Sequence, residues 1–192
     1  MNANATAMMT ARALRSRGLG MFACAAFGAF WASTALSMWP VTAAAIGYGV
    51  TALMTGGLLV AAIRMIRRSR QLSSADAAMS SRQRRTGTIF FAIFAAEIIA
   101  MNIAAYLLAS HHLMPYLMPV IAIIVGLHFY PLASLFRASR YYVTASVMTL
   151  AGVAGAVAIA SGVAANPVNA TVEIVCAITL WSTGVVSWRT AN

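Results

Sequence analysis

A chain of 192 residues that is 61% apolar and 8% charged, with a mean hydropathy of +0.82, does not have the composition of a water-soluble domain. Its basic residues are thirteen arginines against three acids, a formal net charge of +10 that would ordinarily raise nucleic acid as a partner. The arginines instead flank apolar stretches, where such charge orients a chain in a membrane; the expected partners are the lipid bilayer and its anionic headgroups, not nucleic acid.

Six apolar stretches fall at about 18–39, 42–64, 87–109, 117–136, 142–161 and 170–188, each near the roughly 20 residues that cross a hydrocarbon core. Arg12, Arg15 and Arg17 precede the first, and Arg64, Arg67, Arg68, Arg70, Arg82, Arg84 and Arg85 separate the second from the third. Arg137 and Arg140 separate the fourth from the fifth, and Arg189 follows the sixth. The other connections carry no arginine, so the positive-inside rule places both termini in the cytoplasm. The expectation is an all-α, polytopic bundle of six transmembrane helices. It consists of a cytoplasmic basic leader at 1–17 and one domain at 18–192, with a cytoplasmic basic loop at about 65–86.

Along the chain, Met1–Thr10 reads as disordered or interfacial. Arg12–Arg17, the apolar run from Leu19 and Ser33-Thr34-Ala35 resemble a signal peptide, but the run continues through Trp39 and fits an uncleaved anchor better. In the second span Gly56-Gly57 marks close packing or a flexible point, and Tyr48, Thr51 and Thr55 offer hydroxyls along one path. In the following loop Ser74 can cap a short helix, with Asp76 in its first turn. The third span carries Ala96, Ala100 and Ala104, and the fifth Gly152, Ala156 and Ala160. Such stripes allow close helix approach and suit a homo-oligomer. Cys24 and Cys176 fall in opposite leaflets, too far apart for a disulfide. Short external connections make neighbours of spans one and two, three and four, and five and six; each hairpin ends in arginine, which membrane anchoring of a returning helix explains better than a threefold hairpin repeat or an inverted three-plus-three repeat.

Chemistry narrows to few residues. Glu97 lies in the middle of the third span, where an ionisable group is costly unless paired or wetted. His128 lies in the middle of the fourth. Counted from the external turn, Glu97 is thirteen residues before Ser110 and His128 twelve after Tyr116, which puts both about 18–20 Å from the external ends. A Glu97–His128 pair at mid-membrane is therefore expected. Pro131 should kink the helix and free the Leu127 carbonyl beside the histidine, with Tyr130, Asn102 and Tyr106 near the same site. Glu173 reads as a partly hydrated residue in the first turn of the sixth span. His111, His112 and Met114 are compatible with a soft metal, but adjacent histidines rarely ligate one ion well, and no metal site is assigned. No phosphate loop, zinc-protease helix or serine elbow occurs, and neither a cofactor nor an enzymatic activity is expected.

The segment Gly126-Leu127-His128-Phe129-Tyr130-Pro131-Leu132-Ala133, followed by Phe136-Arg137 and Tyr141-Tyr142-Val143-Thr144, resembles a segment of small uncharacterised bacterial six-helix inner-membrane proteins. It covers about one fifth of the chain and implies that His128 and Pro131 belong to a recurring motif without a known activity. Two functions remain. One is a small proton-coupled or cation transporter or channel of the bacterial inner membrane, using Glu97 and His128. The other is a structural or assembly protein whose polar pair only fixes helix packing. A polar, water-connected cavity at Glu97 favours the first, and a dry, closed pair the second.

Overall fold

The structure, a computed structural model, describes residues 3–72, 81–136 and 138–190. They form six α-helices and one short 3-10 turn: α1 (Ala3–Leu36), α2 (Val41–Leu72), α3 (Ser81–Ser110), α4 (Leu117–Phe136), α5 (Arg140–Ala160) and α6 (Ala165–Arg189), with the turn at Met114–Tyr116. Each helix contains a stretch long and apolar enough to cross a membrane. Among the described residues there are no strands.

Several helices exceed the expected bounds. The leader is not irregular where described; Ala3–Thr10 continues into α1 as helix. The basic connection is also largely helical, since α2 runs on to Leu72 and α3 begins at Ser81. Arginine, alanine, glutamine and methionine are good helix formers, so loss of apolar character ended the membrane pattern without ending the helix. Ser74 and Asp76 lie outside the described residues.

The arginine-bearing ends gather at one end of the bundle. Arg17 donates to the Thr190 carbonyl at 2.6 Å. A Cβ at Gly18 would meet the Ala62 carbonyl of α2, and one at Gly20 the Tyr141 hydroxyl of α5. Exposed Arg64, Arg67, Arg68 and Arg70 follow from the same end of α2. The opposite end is closed by two Schellman-type caps. At the first, His112 is left-handed (φ 57°), with its N–H on the Ala109 carbonyl and that of Leu113 on Leu108. At the second, Gly162 (φ 91°) bonds Ile159 and Val163 bonds Ala158 in the same way.

The helices pack in the lateral order α2, α1, α6, α5, α4, α3, with α6 also touching α2 and α4. The three expected neighbour pairs all touch, but the α4–α5 and α1–α6 interfaces are as central as the external hairpins. Neither repeat describes this arrangement. Among the described residues α3 touches neither α1 nor α2, whereas α4, α5 and α6 all touch one another.

Two clusters make the core. One joins Cys24, Trp31, Met148, Val172, Cys176 and Leu180; the other joins Met21, Leu58, Ala62 and Met65. Both cysteines are free and buried, as expected. Cys24 lies at the level of Gly184, eight residues or about 12 Å from Cys176 along α6. The stripe on α5 does let a backbone approach, and the partner is α4: a Cβ at Gly152 would stand 2.5 Å from the Pro119 carbonyl oxygen. Gly56 and Gly57, by contrast, face open space and are not a packing point.

These two environments should separate in a thermal unfolding experiment in detergent. Gly152→Ala is expected to lower stability by about 1–3 kcal/mol, because backbone on α4 has to shift. Gly56→Ala is expected to be neutral or to add up to about 1 kcal/mol through helix propensity. Equal losses in the two variants contradict this packing.

Candidate functional site

α3 is the least embedded helix. Among the described residues its only lateral neighbour is α4, with the 114–116 turn at its end. The face it presents is legible as a heptad-like series, Phe90, Phe94, Glu97, Met101, Ala104 and Leu108, all partly or fully buried. Phe90 stacks on Phe94 with ring centroids 6.4 Å apart and meets Phe136 of α4 at 6.1 Å. Among the α3 side chains described, the one that is fully withdrawn from the surface is Glu97, 8% exposed.

Glu97 meets His128. Oε2 lies 3.1 Å from Nδ1 of the imidazole, so the predicted common level on antiparallel helices is what the bundle contains. The two atoms are within ion-pair distance but misaligned for a hydrogen bond, and the imidazole also reaches the backbone of Ile93, one turn before Glu97. The ring edge packs on Phe129. Both side chains are more than nine-tenths covered. The pair is enclosed by the α3–α4 contact itself.

The other residues expected here are elsewhere. Tyr130 turns toward α5, where its hydroxyl lies 3.0 Å from that of Ser146 and its ring 6.1 Å from Tyr142. Asn102 is exposed and returns its amide to the Ile98 carbonyl of its own helix, and Tyr106 is 74% exposed. Pro131 lies on an exposed face, and α4 continues through it from Leu117 to Phe136, so the expected break beside His128 is absent. Exposed His111 and His112 serve the turn, His112 as the left-handed cap residue.

Glu173 requires the largest correction. It is neither in a first turn nor hydrated: α6 starts at Ala165, and Glu173 is 0% exposed. The segment from Ser161 to Ala170 reads as loop because it contains Gly162, Pro167 and two asparagines. Pro167 is instead the third helical residue, where a missing N–H costs nothing. Glu173 therefore lies eight residues, about 12 Å, into the helix. Its carboxylate faces the Thr34 hydroxyl of α1, which also lies 2.9 Å from the Trp31 carbonyl, and neither carboxylate oxygen has a well-aligned hydrogen-bond partner.

Glu173 belongs to an inward stripe on α6, spaced four and three residues apart: Asn169, Glu173, Cys176, Leu180, Thr183 and Ser187, all buried. Asn169 donates to the Pro115 carbonyl at 3.2 Å, while its Oδ1 has no partner. Thr183 and Thr144 of α5 share a hydrogen bond of 2.6 Å. Sequence reasoning missed this stripe because it sought single ionisable residues, not a polar heptad series.

Comparison with known proteins returns no matching family model, no matching curated protein and no matching solved structure.

If the pair fastens α3 to α4, Glu97 and His128 should be energetically coupled. A double-mutant cycle with Glu97→Ala and His128→Ala, read by thermal unfolding in detergent, is expected to give a coupling of about 1–2 kcal/mol. An engineered cysteine pair across α3 and α4 should cross-link less efficiently in either single variant. Additive single effects contradict the fastening role.

Proposed function

We propose that this chain is a multi-pass protein of a bacterial cytoplasmic membrane, with its arginine-bearing end inside, and that it acts as a structural or assembly protein in which Glu97–His128 fixes helix packing. The observation that carries this reading is the closed pair. Among the described residues it is buried in the one lateral interface of α3, with both side chains more than nine-tenths covered. A groove of about 450 Å³ between α5 and α6 is lined by residues such as Ala154, Gly155, Val168 and Val172 and is apolar. A buried acid–base pair between two helices supplies what apolar surface cannot supply in lipid, a specific register.

Orientation is tested by cysteine labelling in intact cells, in a background with Cys24 and Cys176 replaced by alanine. Leu113→Cys is expected to react with a membrane-impermeant maleimide from outside, and Gln71→Cys only after the cells are opened. The reverse pattern rejects the assignment.

The transport reading is favoured by one other observation, the fully buried carboxylate of Glu173, whose oxygens have no well-aligned hydrogen-bond partner. Proton leak in proteoliposomes separates the two. For a structural pair, Glu97→Gln keeps the side-chain shape and is expected to unfold at the parent's temperature or above, with leak unchanged from empty liposomes in both proteins. A leak in the parent that Glu97→Gln abolishes while remaining folded overturns the structural reading.

A further inference from the structure

We propose that Glu173, Asn169 and Thr34 form a binding site for one monovalent metal cation of the sodium class, buried between α1 and α6. Glu173 and Asn169 are one helical turn apart on the same buried stripe, so their side chains are neighbours. Three acceptor oxygens there, both of the Glu173 carboxylate and Oδ1 of Asn169, are buried without a hydrogen-bond partner. Thr34 adds a fourth: its hydroxyl faces the Glu173 carboxylate, and when its hydrogen goes to the Trp31 carbonyl, 2.9 Å away, its oxygen is free to ligate a cation. The Asn169 amide is held by its donation to the Pro115 carbonyl, which leaves Oδ1 as the free arm.

These oxygens lack positive charge, not further acceptors. A proton satisfies one of them, whereas a metal cation serves all of them together. Every ligand is a hard oxygen, which suits an alkali or alkaline-earth ion over a soft one. Cys176 faces Glu173 from the next turn, but no set of three or more His, Cys, Asp or Glu side chains comes together among the described residues. Valence follows from charge. The one carboxylate neutralises one positive charge, and a divalent ion would leave a net charge in a core formed by Trp31, Val172 and Ala177. The proposal concerns binding and stands whether or not the ion crosses the bundle.

The test uses the full-length protein in detergent, unfolded thermally at fixed pH and ionic strength while NaCl replaces choline chloride. Tm is expected to rise with sodium and then to saturate, as for a ligand bound by the folded state alone. The rise should be lost in Glu173→Gln and moved to about tenfold higher sodium in Asn169→Ala, the loss of one ligand. A parent Tm indifferent to the exchange, or an equal rise in Glu173→Gln, overturns the proposal. So does a Tm that responds to pH through Glu173 but not to lithium, sodium or potassium, since the carboxyl then holds a proton only. If Glu173→Gln does not fold, radiolabelled sodium decides: stoichiometric binding by the parent, weakened in Asn169→Ala, supports the site, and no binding rejects it.

Discussion

In a bundle whose outer surface is as apolar as its interior, burial of hydrocarbon does not specify which face of a helix turns inward. Here that choice rests on α6, which touches α1, α2, α4 and α5 and presents small or polar residues to them. Ala170, Ala177 and Gly184 bring neighbouring helices close, and Gly184 accepts the Leu58 side chain of α2. Asn169 bonds the Pro115 carbonyl and Thr183 the Thr144 hydroxyl of α5, so turning α6 outward would break both bonds and expose their polar groups. The other helices are thus assembled around a helix whose orientation is fixed by polarity.

The same rule explains the two buried glutamates and their different situations. Glu97 has an imidazole partner on the facing helix and lies on a helix with little other contact, so its burial is the attachment of α3. Glu173 lies on the most enclosed helix, where packing alone already holds the backbone, and its carboxylate has no counter-charge beside it. A group that contributes little to attachment and is costly to bury is the better place to look for a ligand.

The end distribution of arginine completes the constraint. Arg17 bonded to Thr190 ties the first helix to the last at the level where polar headgroups are expected. Arg140 covers the Tyr141 ring at 5.2 Å, and Tyr141 in turn packs on Phe129 and Phe136, so the basic end is closed by an aromatic layer that also reaches Phe90 of α3.

Hydropathy and arginine placement in the sequence determined the helix count and the alternation of ends, because these depend on residue type summed over some twenty positions. The shared level of Glu97 and His128 was also legible, since two antiparallel helices joined by a short turn keep a common origin for counting. What lay beyond the turn was not. Which faces meet, that α3 stands outside, that Tyr130 and Asn102 turn away from Glu97, and that α4 passes through Pro131 unbroken depend on contacts between helices distant in sequence. Glu173 shows the difference most sharply. A five-residue shift in one helix start changed its depth, and only the packing of α1 against α6 removed its access to water.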